Sequence, residues 1–379
     1  MLKQAIIYLT LGGMLCVLSG CEVGKGSAAA SEACRATNSN NCIINDVAYG
    51  AGVFVAVGQG GPSSRFGSPG PWVEDSNDGI SWKPMDPGYT SSSSVLTSIV
   101  SGSKGFVATD GQRVIYSVDG QNWSVDNISS QSNQIAKVEY DSSRYILYTS
   151  STTPASPWRV SDNGVDWKNY GTITNNLSAA GGTPTSIIKV GDTYYATWRG
   201  SYSATVNYLT ATSTNGLAWT PGNAASDSTT ELAQLLEENG QYVAFGSNSS
   251  QNVSINTTVT WGLVAQGTNF NNLTISSPIK ISGQSYAFTK GASNGQVYVG
   301  IGVSGAFEST DAKDWSQVDL SSAMSKNSQC DSSTSTSTIF CIATVGIAAA
   351  PSGSFVIVGG DGGYGAESAD GVNWVKSDL

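Results

Sequence analysis

The residues that could do chemistry are aromatic, cationic and acidic, because the 379-residue chain contains no histidine. This absence excludes a Ser-His-Asp triad, a Cys-His pair and a His-ligated zinc, iron or copper site. A predicted repeat unit has segments that join its second and third strands. In or beside these segments lie most of the arginines, the tryptophans outside a repeated motif and two tyrosines. We predict that these residues contact a ligand: Trp72, Arg113, Trp158, Arg159, Trp198, Arg199, Tyr202 and Tyr364.

Aromatic rings beside arginine side chains suit sugar rings, carboxylates or a protein partner. The open alternative is that these tryptophans pack between structural units and the arginines cover polar rims. Glycoside hydrolysis would need only two carboxylates about 5–9 Å apart. Four acids near the same predicted ligand-binding end of the molecule are candidates, none with a distinguishing context, so we predict no catalytic residue, no metal and no cofactor: Glu74, Asp75, Asp110 and Asp361.

Composition limits the partners and favours strands. There are 18 basic and 28 acidic residues, and the net charge of −10 argues against nucleic acid and against an electrostatically bound membrane face. Charged residues make up only 12% of the chain, which also contains 44 glycines. Few charges with many Gly, Ser, Thr and aromatic residues predict an all-β, turn-rich protein.

The first 20 residues predict a signal peptide, with Lys3 followed by an apolar stretch too short to span a membrane comfortably. Leu18-Ser19-Gly20-Cys21 resembles the bacterial lipobox, and that resemblance implies an acylated Cys21 in the lipid bilayer. By resemblance to enterobacterial sorting rules, Glu22 after the cysteine favours the outer membrane, on its periplasmic or surface-exposed side. We therefore predict that residues 21–42 are a lipidated, flexible tether in the bacterial cell envelope. The alternative is an ordinary secretory signal.

Four cysteines remain after Cys16 and Cys21 are assigned to the signal and the anchor. An even number in an oxidising compartment indicates disulfides, with three possible pairings. We favour Cys34–Cys42 and Cys330–Cys341, because both would close short loops. The alternative Cys42–Cys341 would join the first repeat to the last.

A Ser-x-Asp-Gly-x-x-Trp motif recurs along the chain. Asp-Gly or Asn-Gly between two strands is a strong hairpin signal, since glycine accepts a positive φ. Two copies are degenerate, one lacking the glycine and one lacking serine, acid and glycine. The seven predicted turns contain Asp78 and Trp82, Asp119 and Trp123, Asn163 and Trp167, Asn215 and Trp219, Trp261 alone, Asp311 and Trp315, and Asp370 and Trp374.

An apolar run precedes each motif, and a further short strand precedes each run. The spacing of about 41 to 59 residues is typical of four-stranded propeller blades. We therefore predict that residues 43–379 form a single seven-bladed β-propeller of four-stranded antiparallel blades, closed without a swapped strand. Residues 231–238 have helical composition but lie where blade five needs its first strand, so we predict a strand there.

These motifs resemble the Asp-box (BNR) repeats of the sialidase-like propellers, in a contracted form in which the Asp and Gly are adjacent. The resemblance implies that the boxes are structural and lie away from the ligand. It does not extend to the sialidase arginine cluster, because the segment around Arg65 does not match and no arginine follows Arg199. We predict a non-catalytic binding or assembly propeller for a glycan or envelope protein, or alternatively a glycoside hydrolase-like enzyme acting on extracellular polysaccharide.

Overall fold

The computed structural model describes most of residues 43–379, and the regular elements among the described residues are β-strands and one short 3-10 turn. Its description covers residues 43–60, 70–91, 94–126, 128, 135–149, 157–172, 174–175, 183–199, 207–225, 229–252, 257–276, 279, 287–302, 305–324, 344–359 and 364–379. The predicted signal, anchor and cysteines (Cys21, Cys34, Cys42, Cys330 and Cys341) lie outside these residues.

The strands form seven antiparallel blades, each built from consecutive strands, as predicted. Blades 1 to 3 comprise β1 (Ile43–Gly50), β2 (Val53–Gly60), β3 (Gly70–Ser76) and β4 (Lys83–Met85); β5 (Ser98–Gly102), β6 (Gly105–Thr109), β7 (Val114–Ser117) and β8 (Ser124–Asp126); and β9 (Ile135–Tyr140), β10 (Tyr145–Thr149), β11 (Pro157–Ser161) and β12 (Lys168–Thr172).

Blade 4 is wider than the others, because β13 (Thr174–Asn175) adds a parallel edge strand to β18. Its main strands are β14 (Thr183–Val190), β15 (Thr193–Arg199), β17 (Thr210–Ser213) and β18 (Ala218–Pro221), and β16 (Asn207–Tyr208) pairs with β19 (Ala224–Ala225) beside it.

Blades 5 to 7 complete the ring, and the segment predicted as a strand at 231–238 is confirmed as β20. They comprise β20 (Thr230–Glu238), β21 (Gln241–Asn252), β22 (Thr257–Gly267) and β23 (Thr274–Ile275); β24 (Phe288–Ser293), β25 (Tyr298–Gly302), β26 (Gly305–Ser309) and β27 (Ser316–Val318); and β28 (Thr344–Ala349), β29 (Phe355–Gly359), β30 (Tyr364–Ser368) and β31 (Val375–Lys376).

The first strand of every blade (β1, β5, β9, β14, β20, β24 and β28) packs against the first strands of both neighbouring blades. These innermost strands therefore surround the propeller axis. Because each blade is an antiparallel meander, all segments joining second to third strands and blade to blade lie at one end. We call that end the loop face. The turns that join first to second strands and third to fourth strands lie at the opposite end. We call that end the turn face.

The repeated motif forms the turn between the third and fourth strands. In blade 2, the backbone N–H groups of Gln121 and Asn122 both donate to Asp119 Oδ1 at 2.9 Å. The Gly120 N–H donates to Ser117 Oγ, and Trp123 Nε1 donates to the Gly120 carbonyl at 2.9 Å. The motif therefore satisfies the turn backbone locally, and asparagine does the same for blades 3 and 4.

The prediction for blade 5 was wrong. Trp261 lies inside strand β22, opposite Asn248, and not after a turn. The turn comes later, at 267–273, where Asn269 Oδ1 accepts the Asn271 N–H at 3.1 Å. The segment Thr257-Thr258-Val259-Thr260 is β-branched, which favours an extended strand and disfavours a turn with positive φ. The tryptophan matched the spacing, but the turn chemistry was absent.

Candidate functional site

Polar side chains on the innermost strands bind the backbone of the next blade. Asp46 Oδ2 of blade 1 accepts the Ile99 N–H of blade 2 at 3.1 Å. Ser98 of blade 2 accepts the Val138 N–H of blade 3 at 3.3 Å. The same contact recurs from blade 3 to blade 4 through Glu139 (to Ile187 N–H, 2.7 Å) and from blade 5 to blade 6 through Gln234 (to Gly291 N–H, 2.9 Å). These groups satisfy inner-edge backbone donors that have no strand partner.

Two lysines neutralise the two carboxylates of this inner ring. Lys290 Nζ lies 2.5 Å from Asp46 Oδ1, although blade 7 stands between their blades in the ring. Lys137 Nζ lies 2.5 Å from Glu139 Oε1 and also donates to the Thr185 carbonyl of blade 4 at 3.0 Å. Asp46 and Glu139 are thus bound both to a cation and to the backbone, and each pair ties blades together near the axis.

The arrangement of Tyr148 and Glu139 does not suit nucleophilic chemistry. The Tyr148 hydroxyl donates to Glu139 Oε2 at 2.6 Å. Burial, followed by the adjacent Glu139 charge, raises the pKa of Tyr148 well above its ordinary value. A phenol that holds its proton so firmly is a hydrogen-bond donor in this position, and not an activated nucleophile.

Arg113 is fixed in the loop-face turn of blade 2. Its Nη1 donates to Asp110 Oδ2 and to Ser94 Oγ, both at 2.9 Å, and its guanidinium lies 5.2 Å from the centroid of the Tyr89 ring. Burial opposes the charge of Asp110, but backbone N–H groups, the Tyr89 hydroxyl and Arg113 outweigh it and lower the Asp110 pKa. Asp110 is therefore ionised and engaged, which does not fit a general acid.

The other predicted ligand residues are only partly described. Arg159, in β11, donates from Nη1 to the Ile128 carbonyl at 3.1 Å, so it holds the segment that enters blade 3. Trp158 precedes it in β11, opposite Gly171. Arg199 ends β15 and Tyr364 begins β30, both at the loop face, while Tyr202 lies outside the described residues.

Trp72 and Trp198 occupy the core. Trp72 is 6% exposed and packs with residues of blades 1 and 7, including Trp82. Trp198 is 1% exposed, and its ring centroid lies 5.9 Å from that of Trp219. Both indole N–H groups are buried without a hydrogen-bond partner among the described residues. For these two, packing accounts for the side chain, and we remove them from the proposed ligand contacts.

Of the candidate acids that the structure describes, Asp75 and Asp110 lie at opposite ends of their blades and form no catalytic pair. Glu74 and Asp75 are adjacent in β3, where successive side chains point to opposite faces of the sheet. Asp75 directly precedes the turn serine Ser76 and therefore lies at the turn face, not at the loop face as predicted. Burial raises the pKa of Asp75 and of Glu367, which precedes the turn serine in blade 7. Asp361 lies outside the described residues.

Two further searches cover only the part of the chain that the structure describes. No group of three or more Cys, Asp or Glu side chains there could hold a metal ion. No helix there is long and apolar enough to cross a membrane.

Comparison with known proteins shows the fold alone. No protein-family model and no curated protein matches the sequence. Among solved structures, the Swd1 β-propeller domain of Myceliophteria thermophila aligns with a TM-score of 0.51 and 10% identity, over 84% of this chain and 93% of that one. This chain is a β-propeller.

Two glycoside hydrolases also match, more distantly. An α-L-arabinofuranosidase from Fusarium graminearum aligns with a TM-score of 0.42 and 11% identity over 83% of this chain and 88% of that one. A GH43 β-1,3-galactosidase aligns with a TM-score of 0.34 and 14% identity. The alignment covers 59% of this chain and 59% of the galactosidase.

Sequence reasoning missed the inner ring of polar residues. One signal was present for Asp46, which is the one acidic residue of its strand Ile43–Gly50. The first strands that contain Glu139 and Gln234 carry further charged residues, so the same pattern does not distinguish those two. A β-bulge lies directly before Asp46, Gln234 and Lys290. A bulge adds one residue to the strand and changes the direction of the following side chain, which a strict alternation of faces does not predict.

Proposed function

We propose that this protein is a lipid-anchored propeller of the bacterial envelope that binds a glycan or an envelope protein through its loop face, without catalysing a reaction. One observation carries the proposal: the buried acids near the axis, Asp46 and Glu139, are each bound to a lysine and to backbone N–H groups. A retaining or inverting glycosidase needs one carboxyl group with a raised pKa and a second that is free to act.

We also infer that the Ser-x-Asp-Gly-x-x-Trp turns are contracted Asp-boxes. Their shared hydrogen-bond pattern and their common position in the blade support this grouping. The proposed ligand contacts are accordingly at the other end of the molecule: Arg113, Trp158, Arg159, Arg199, Tyr202 and Tyr364.

A glycan-array screen tests the binding function. The chain is compared with a Trp158→Ala/Arg159→Ala variant, and with Lys313→Ala on the turn face as a matched control. We expect binding that the double variant loses and the control retains, with folding checked by thermal unfolding. A hit that the unmodified chain also cleaves would favour the glycoside hydrolase alternative. A glycan hit retained by the folded double variant would contradict these contacts, and a blank array would direct the search to a protein partner, by crosslinking in the envelope.

Metabolic labelling with an alkyne fatty acid tests the anchor. We expect label on the full chain and none on a Cys21→Ala variant, because the thiol is the proposed acylation site. Equal labelling of both proteins would contradict the proposal, as would an unlabelled, cleaved and secreted wild-type chain.

A further inference from the structure

The turn face carries exposed aliphatic side chains in several blades. Among the described residues, the exposed large hydrophobic side chains all lie in the turns between third and fourth strands, or in the short fourth strands that follow. Their exposed fractions run from 37% to 63%, and they belong to blades 1, 2, 3, 5 and 7: Ile80, Val118, Val165, Ile275, Val372 and Val375.

Folding of the turn does not require these side chains. Ile80, Val165 and Val372 occupy the same position, directly after the turn glycine, and each contributes only its backbone N–H to the turn. Blades 2 and 6 have Gln121 and Lys313 at that position and form the same hydrogen bonds. A polar residue is therefore compatible with the turn, and the aliphatic side chains of Ile80, Val165 and Val372 are not needed to form it.

The same turns are strongly acidic. The seven turn segments, 76–82, 117–123, 161–167, 213–219, 267–273, 309–315 and 368–374, contain seven aspartates and one lysine, Lys313. Backbone N–H groups that donate to Asp78, Asp119, Asp311 and Asp370 lower the pKa of each carboxyl, so these charges persist at every physiological pH. Exposed aliphatic and anionic side chains thus occur in the same turns of four consecutive blades of the ring, blades 7, 1, 2 and 3.

We propose that the turn face docks a basic amphipathic segment of a second protein. Its apolar side chains would cover Ile80, Val118, Val165 and Val372, and its Lys or Arg side chains would lie against the turn aspartates. A second copy of this chain does not fit, since two acidic faces would repel each other. A bilayer with anionic lipids is disfavoured for the same reason. This site is separate from the loop face, so the two surfaces would let one propeller bridge two partners.

The test uses the full chain in nonionic detergent and a fluorescent helical peptide with a Leu face and a Lys face. The same peptide with Glu in place of Lys is the charge control. An Ile80→Gln/Val165→Gln/Val372→Gln variant adopts the polar residue that blade 2 already has at this position. We expect it to weaken binding of the Leu/Lys peptide by about tenfold or more, through lost apolar burial. Lys313→Val should tighten binding, because it adds an aliphatic group and removes a repelling cation.

The charge contribution is tested with Asp119→Asn/Asp370→Asn. Asparagine already fills this position in blades 3 and 4, so the turns should remain folded while two charges are lost. We expect weaker binding and a smaller dependence on salt. The proposal is overturned if the Leu/Lys peptide does not bind the unmodified chain, or binds the folded triple variant equally. Equal binding of the Leu/Glu peptide would show unspecific apolar adhesion. Flotation with vesicles of phosphatidylcholine, lost in the triple variant, would identify a membrane surface instead.

Discussion

Asp75 is a carboxylate that the fold buries without satisfying. It is 2% exposed; its Oδ2 accepts from Gln121 Nε2 at 3.1 Å, but its Oδ1 has no partner among the described residues. Burial raises its pKa above the ordinary value. A raised carboxyl pKa means that the folded state binds the proton more tightly than the unfolded chain does. The charged form therefore costs stability at neutral pH, and that cost disappears below the unfolded pKa of about 4.

We predict that Asp75→Asn raises the melting temperature at pH 7, because it removes the buried charge and keeps an acceptor for Gln121. The gain should shrink as the pH falls through the raised pKa and vanish below about pH 4. Thermal unfolding followed by circular dichroism from pH 3 to pH 8 measures this difference.

Asp119 provides a control of opposite sign on the next blade. Backbone N–H donation, chiefly from Asn122, lowers the pKa of Asp119 in the folded state. The charged carboxylate therefore stabilises the fold at pH values above the pKa of the unfolded chain. That stabilisation is lost as the pH falls through the pKa of the folded state. Asp119→Asn should therefore lower the melting temperature at pH 7 and lose that effect in acid. If both variants shifted in the same direction at pH 7, the pKa directions would not explain them.

The turn is the element that joins neighbouring blades. Gly120 has a φ of +81° and lies against blade 1, where a Cβ would approach Val55 Cγ2 to 2.8 Å. Gly79 and Gly164 lie in the same way against blades 7 and 2. Ala312 shows what the turn tolerates: it keeps a positive φ of 59° in blade 6, where its methyl group is fully buried in the core.

We predict that Gly120→Ala destabilises the fold by more than Gly191→Ala. Gly191 also has a positive φ, +60°, but a Cβ there would meet nothing within 4 Å. Gly191→Ala should lower the free energy of unfolding by about 1–2 kcal/mol, because alanine disfavours the left-handed backbone conformation. Gly120→Ala adds the clash with Val55, about 1–3 kcal/mol more. Urea unfolding of both variants measures the difference, and equal losses would mean that backbone conformation alone determines the choice of glycine.

The sequence predicted these elements where local chemistry specifies them. Asp-Gly and Asn-Gly pairs locate five of the seven turns, and Asp311-Ala312 locates a sixth, because the hydrogen bonds lie within the motif. The prediction failed for blade 5 because the turn there contains Asn269 and Phe270 and lacks such a pair. The ring of axial polar residues could not be predicted, because Asp46 and Lys290 are brought together only when blades 1 and 6 take their places around the axis.

At the scale of the whole molecule, the ring closes between blade 7 and blade 1. No strand is exchanged across this seam, since both blades are built from consecutive strands. Blade 7 instead contributes the residues after β31: the Trp82 N–H donates to Asp378 Oδ1 at 2.8 Å, and Trp82 Nε1 donates to Ser377 Oγ at 2.6 Å. The Asp378 N–H donates in turn to the Ile80 carbonyl. These bonds join the last residues to the first turn, nearly 300 positions away in sequence.

We predict that deleting residues 377–379 lowers the melting temperature by several degrees, because each net hydrogen bond lost contributes about 1 kcal/mol and a buried Trp82 donor loses one of its acceptors. Asp378→Ala should produce part of this loss, and Lys376→Ala, at an exposed position two residues earlier, should produce none. Hydrogen exchange locates the effect: amides of β1 and β28 should exchange faster than those of β9 and β20, since the seam would open before the other blade contacts. Equally faster exchange in all blades would instead indicate that the ring unfolds as one unit. Unchanged exchange in β1 and β28 would show that the apolar contacts of Trp72 and Val356 hold the seam without the terminal hydrogen bonds.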